Sequence, residues 1–132
     1  MRNSLVRLLA TLILALPITT PAFATATSGG INWRAAANDA DIARAFAQAK
    51  TESKPVLLYW GASWCPPCNK LKATLFTRQD FIAQSRAIVA VNIDGDLPSA
   101  QKLGTRFKVT GYPTMILMNA NGTEITRLPG EV

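Results

Sequence analysis

Histidine is absent from this chain, and cysteine occurs only twice in 132 residues. Tetrahedral zinc needs about four ligands. With no third cysteine and no imidazole, one chain has only carboxylates to complete a shell begun by two thiolates, which argues against structural zinc. Also lacking are a dense basic run and any interleaving of aromatic and basic residues of the nucleic-acid-binding type. There are no internal repeats. The apolar run from Leu8 to Leu16 is too short to span a bilayer as a stable anchor. Acidic residues are few, 8 against 14 basic, for a net charge of +6.

The two cysteines stand together in Trp60-Gly61-Ala62-Ser63-Trp64-Cys65-Pro66-Pro67-Cys68-Asn69-Lys70, with C-x-x-C spacing. The preceding Pro55-Val56-Leu57-Leu58-Tyr59 reads as a buried strand. The segment that follows carries a helical stripe of Leu71, Leu75 and the neighbouring Phe76. The pair therefore falls where a strand ends and a helix begins. A helix N-terminus has partial positive charge and free backbone N–H groups. Both favour thiolate over thiol and lower the pKa of the leading cysteine. Pro66 suits the first helical turn, where a missing N–H costs nothing, and Pro67 stiffens the loop. Cysteines so spaced can close a small ring and cycle between dithiol and disulfide. A purely structural bridge is the blander alternative, although closing so short a loop removes little unfolded-state entropy. A soft-metal module holding copper(I) on two thiolates is another, with no methionine cluster beside the cysteines to support it. A redox-inert interaction domain is the third. No metal site and no cofactor is implied.

Residues 1–24 read as a cleaved secretory signal. Arg2 and Arg7 precede Leu8 to Leu16, Pro17 breaks the helix, and Ala22-Phe23-Ala24 supplies small residues for cleavage. The mature chain is then expected in a bacterial periplasm, where disulfides persist, with no membrane insertion after cleavage. Losing Arg2 and Arg7 leaves 12 basic and 8 acidic residues, a net +4. That describes one small domain with a mild preference for acidic partners. Residues 25–30 are small and polar and read as a flexible leader. Ile31-Asn32-Trp33 reads as a short first strand. Asn38 or Asp39 caps a helix reaching about Thr51, with Ile42, Ala45, Phe46 and Ala49 as its core stripe. Beyond the cysteines, Thr77-Arg78-Gln79-Asp80 reads as a capping box opening a short helix with Phe81 and Ile82. Ala87 to Ile93 is a second buried strand. Asp94-Gly95-Asp96-Leu97-Pro98 is a turn, since its aspartates do not continue with calcium-loop spacing. Ser99 is the expected cap of a helix with Ala100, Leu103 and Phe107 on one side and Gly104 inside it. Thr114 to Met118 is a third strand, joined through Asn121-Gly122 to Glu124 to Leu128 as a hairpin. The same turn accounts for the glycosylation-like triplet at Asn121-Gly122-Thr123. An order of β-α-β-α-β-α and then a hairpin means an α/β protein with a mixed, helix-covered sheet.

Trp64-Cys65-Pro66-Pro67-Cys68 after an apolar strand resembles the active site of the thioredoxin superfamily. Val109-Thr110-Gly111-Tyr112-Pro113-Thr114 resembles that family's cis-proline loop. Two distant motifs in the right order are far more specific than either alone. The resemblance runs from about Ile31 to Val132. Ala62-Ser63-Trp64 and the stretch from Lys72 to Phe81 are similar to the thioredoxin-like domains of periplasmic thiol–disulfide interchange proteins. The resemblance implies a thioredoxin-like domain over residues 31–132, with a central mixed sheet flanked by helices. It implies a thiol–disulfide oxidoreductase acting on protein disulfides or dithiols, served by an upstream redox partner. Cys65 is then the attacking thiolate and Cys68 the resolving thiol. Trp64, Pro66 and Pro67 flank the site. Pro113, expected cis, lies against the cysteines, and Tyr112 lines a groove that receives the partner as an added strand.

The sequence departs from the family pattern in three places. Tyr59 stands where many members carry a buried acidic residue, and Ala90 where a lysine often accompanies it. Proton transfer to Cys68 then uses water or another group. The C-x-H-C pattern of strongly oxidising relatives is absent, and Cys-Pro-Pro-Cys is more similar to exported reductases, so reduction is the expected direction. The helix that normally follows a glycine like Gly130 is missing before Val132. The sequence therefore reads as a fragment; a complete chain of this length would leave an apolar sheet face open.

Overall fold

The computed structural model describes residues 29–128. The expected signal at 1–24, most of the leader, and Gly130 with the missing last helix lie outside the described residues. The elements are β1 (Arg34–Ala36), α1 (Asp39–Glu52), β2 (Val56–Gly61), α2 (Pro66–Thr74), α3 (Gln79–Ser85), β3 (Val89–Asp94), α4 (Pro98–Arg106), β4 (Thr114–Met118) and β5 (Glu124–Leu128). One mixed sheet has the order β1-β3-β2-β4-β5. β1, β3 and β2 run parallel, and β4 and β5 run antiparallel to their neighbours. This is the mixed, helix-covered sheet anticipated from the order of elements, in the thioredoxin-like arrangement that the motif resemblance implies. No helix among the described residues is long and apolar enough to cross a membrane.

β2 is buried at every position, because it lies at the centre of the sheet with both faces covered. Val56, Leu58 and Trp60 face one layer, where Ile42, Ala45 and Ala49 of α1 and Ala100 and Leu103 of α4 close the main core. On the other face Tyr59 packs edge-on to Phe76, with ring centroids 5.1 Å apart, and Trp33 joins them at 5.6 Å from Tyr59. Helix α1 starts as expected, Asn38 accepting a bond from the Asp41 amide at 3.0 Å. The Asn121-Gly122 turn also forms. Asn119 accepts from the amides of Asn121 and Thr123, both at 3.0 Å, and Gly122 takes a φ of 86° that favours glycine.

Three local expectations are corrected. The first strand is Arg34–Ala36, not Ile31 to Trp33. Trp33 is drawn instead onto Tyr59 and Phe76, so the ladder with β3 begins one residue later. Thr77 does not cap α3: its hydroxyl bonds back to the Ala73 carbonyl at 2.8 Å, and Arg78 takes the cap position. Ser99 does not cap α4 either. Pro98 occupies the first helical turn, which pushes the cap back to Leu97.

Part of the second sheet face is open among the described residues. A cavity of about 480 Å³ lies between the sheet and α3, with Leu57, Phe81, Ile88, Met115, Leu117 and Leu128 among its walls.

Candidate active site

Strand β2 delivers the chain to Gly61, where the Tyr59 ring crosses above the backbone. A Cβ at position 61 would fall 2.4 Å from the Tyr59 hydroxyl, so any side chain there requires the buried Tyr59 ring to shift. Ala62 is buried, and its carbonyl accepts the Cys65 amide at 3.3 Å. Cys65 then has extended backbone and serves as the N-cap of α2, with Pro66 and Pro67 in the first turn. Asn69 ties the loop down, donating from its side chain to the Ser63 carbonyl at 3.1 Å.

Cys65 and Cys68 are joined in a disulfide with Cα atoms 5.2 Å apart. The Cys68 amide donates to the Cys65 sulfur at 3.2 Å. This N–H is one of the unpaired donors of the helix start, so the helix N-terminus is aimed at the leading sulfur. Cys65 keeps 3% of its surface in contact with solvent and Cys68 none, so the leading cysteine is the less buried of the two. Both sit in a small cluster with Ala62, against which Tyr112 packs.

The second motif comes to the same place from the far end of the chain. The Tyr112–Pro113 bond is cis and Pro113 is buried. Thr114 closes this loop, its hydroxyl donating to the Gly111 carbonyl at 2.6 Å. Pro66 is exposed and Pro67 half-buried on the outer side of α2. Trp64 is 66% exposed, yet it is held. Its indole N–H donates to the Asp96 carboxylate at 2.6 Å, and its ring meets Tyr112 edge-on at 6.4 Å.

Asp94-Gly95-Asp96 forms the anticipated turn, with Asp94 accepting the Asp96 amide at 3.0 Å. Sequence reasoning missed that this turn belongs to the site. Gly95 donates to the Gly61 carbonyl at 2.8 Å and accepts from the Tyr112 hydroxyl at 3.3 Å. No sequence signal links Asp96 to Trp64, 32 residues away. Burial, and then the Asp96 and Asp94 carboxylates, hold the Tyr112 hydroxyl above the usual phenol range. Tyr59 is raised by burial alone, and its hydroxyl has no hydrogen-bond partner among the described residues.

Residues 42–132 match the thioredoxin-like domain family. This chain belongs to that family. Among curated relatives of this thioredoxin-like domain, it is 32% identical over 97 residues to the thiol:disulfide interchange protein DsbD 2 of Pseudomonas aeruginosa, covering 70% of this chain but only 16% of that protein. It is 24% identical over 98 residues to the disulfide bond reductase DsbH of Chlamydia pneumoniae, covering 65% of this chain and 58% of the relative. Among solved structures, a DsbH oxidoreductase superposes with a TM-score of 0.64 at 23% identity, over 78% of this chain and 75% of the other.

Proposed function

We propose that this chain is an exported thiol–disulfide oxidoreductase that exchanges electrons between Cys65–Cys68 and protein partners, and that it runs as a reductant. The observation that carries the reading is the Cys68 amide pointing at the Cys65 sulfur at the start of α2. In the dithiol form the same amide and helix end favour a Cys65 thiolate.

The Cys65 thiolate attacks one sulfur of a partner disulfide, forming a mixed disulfide and releasing a partner thiolate, which takes a proton from solvent. The Cys68 thiol gives up its proton and attacks the Cys65 sulfur. The Cys65–Cys68 bond forms, the mixed disulfide breaks, and the second partner sulfur leaves as a thiol. The partner gains two electrons and this chain loses two, so an upstream dithiol must restore it. Trp64, Pro66 and Pro67 frame the sulfur pair, and Tyr112 with Pro113 lines the groove for the partner segment. The bacterial periplasm suits a chain whose leader reads as a secretory signal. The reductase named among its relatives supports the direction.

The deciding experiment equilibrates the purified protein with glutathione or dithiothreitol buffers and measures the reduction potential of the pair. A value near about −270 mV marks a reductant, whereas one near about −120 mV marks a disulfide donor and overturns the proposed direction.

A further inference from the structure

Helix α4 ends in a turn that its own sequence does not favour. Lys108 has a φ of 55°, and with Ser53 it is one of two non-glycine residues with positive φ among the described residues. The Lys108 amide donates to the Thr105 carbonyl at 3.2 Å, and the Val109 amide to the Gly104 carbonyl at 2.8 Å. This pair of bonds is a helix end usually built on glycine at the left-handed position. Lysine there crowds its Cβ against the backbone, so a contact from outside the helix is needed to hold the turn.

Arg127 of β5 supplies that contact. Its Nη2 donates to the Phe107 carbonyl at 3.0 Å and its Nη1 to the Lys108 carbonyl at 3.3 Å. Glu124 aligns the guanidinium, accepting from Nε at 2.6 Å and from Nη2 at 2.9 Å. In an ordinary strand, residues three apart point to opposite faces. Here Leu117 pairs with Thr126 but Met118 with Glu124, so Ile125 is an extra residue in β5. A bulge of this kind re-aims a side chain, and this one brings Glu124 to the side of Arg127. From Lys108 the chain runs through Val109, Thr110 and Gly111 to Tyr112, which packs on the cysteine pair, and to the buried Pro113. The direction in which the backbone leaves Lys108 therefore sets where Tyr112 arrives.

We propose that Arg127, aligned by Glu124, is a positioning residue that holds the left-handed Lys108 turn and, through it, the placement of Tyr112 on the Cys65–Cys68 pair. Its effect on turnover rests on the reading of that pair as a protein-disulfide exchanger. Its effect on the cover over the sulfurs does not.

The test compares the wild type with Arg127→Ala, Lys108→Gly, the double variant and Ala47→Gly, each pre-reduced. One readout is single-turnover reduction of insulin. The other is the rate at which iodoacetamide alkylates Cys65, followed by mass spectrometry. Arg127 lies on the outermost strand, so Arg127→Ala is expected to fold. It should slow the insulin reaction about fivefold, equal to about 1 kcal/mol at 1.4 kcal/mol per decade. With Tyr112 no longer held on the pair, Cys65 should be alkylated about threefold faster. Glycine adopts the left-handed conformation as readily as any other. The double variant should therefore bring both rates back to within about twofold of Lys108→Gly. Lys108→Gly by itself should raise the thermal midpoint. Ala47→Gly weakens α1 at an exposed position far along the chain from the turn. As the control for lost stability, it should leave both rates within about twofold of wild type. An unchanged rate in either readout for Arg127→Ala, a change that Lys108→Gly does not reverse, or the same changes in Ala47→Gly overturns the proposal. Failure of the wild type itself to reduce insulin sinks the reading of function instead, while the alkylation series still decides the role of Arg127.

Discussion

Replacing Gly95 by alanine puts a methyl group into space held by Tyr112. The new Cβ would fall 2.3 Å from the ring carbon Cζ, 2.4 Å from the hydroxyl oxygen and 2.7 Å from Cε2. Non-bonded carbons settle at about 3.5–4.0 Å, so the ring must withdraw by about 1 Å or more. Withdrawal breaks the bond from the Tyr112 hydroxyl to the Gly95 carbonyl and shifts the edge contact with Trp64. Backbone strain adds nothing, because the positive-φ glycine among the described residues is Gly122. Overpacking costs about 1–3 kcal/mol, and the obstructing atoms are the free end of a half-buried side chain, so we expect about 1–2 kcal/mol. In a domain of this size each kcal/mol lowers the thermal midpoint by about 4–8 °C. Urea titration and thermal circular dichroism of the oxidised protein measure both quantities. The decisive control repeats Gly95→Ala in a Tyr112→Ala background. The space is then open, and the methyl group should cost under about 0.5 kcal/mol. An equal cost in both backgrounds would refute the reasoning, since the penalty would then not come from the ring.

Other consequences can be checked directly. Cys65→Ser should abolish insulin reduction. Cys68→Ser should instead stall as a mixed disulfide with the partner, visible as a covalent adduct by mass spectrometry. Either variant loses the short closed loop and, by the chain-entropy relation, should be about 2 kcal/mol less stable than the oxidised parent. Tyr59→Phe removes a buried hydroxyl that has no partner among the described residues. It should raise stability by about 1 kcal/mol in urea denaturation, and a loss of stability would show that the hydroxyl is satisfied in solution. Both Tyr59 and Tyr112 have hydroxyls raised above the phenol value of 10.0, so the folded state holds these protons more tightly. Their contribution is complete below that value and is lost as pH rises through the folded pKa. Alkaline unfolding should therefore steepen above pH 10.0 and flatten in the double Tyr→Phe variant. Without histidine, the midpoint of the oxidised form should stay level between about pH 5.5 and 8, which a pH series of melts would confirm or exclude.

Much of the architecture was legible because it depends on local pattern. The apolar run before Cys65, the i, i+3, i+4, i+7 stripe of Ile42, Ala45, Phe46 and Ala49, and the Asn121-Gly122 turn each carry their own physical instruction over a few residues. The chain ends of elements were less legible, for the reason seen at Thr77 and Ser99. A hydroxyl that suits a cap can also bond a carbonyl one turn back, and a neighbouring proline can claim the helix start first. Trp33 similarly left its expected strand because an aromatic cluster on the sheet buries more of it than an edge ladder does.

The sequence by itself determined the cysteine pair, its place at a helix start and the family pattern around Pro113, because spacing along the chain is enough to place two sulfurs within bonding reach. Only the tertiary structure decided which cysteine meets solvent, that Tyr112 packs on the pair, and that the turn at Asp94 to Asp96 belongs to the site. These depend on the sheet order β3-β2-β4, which lines up the ends of β2 and β3 and the start of β4 at one edge. Contacts between residues 17 to 32 positions apart are set by that alignment, and no local preference of Trp64, Gly95 or Asp96 encodes them.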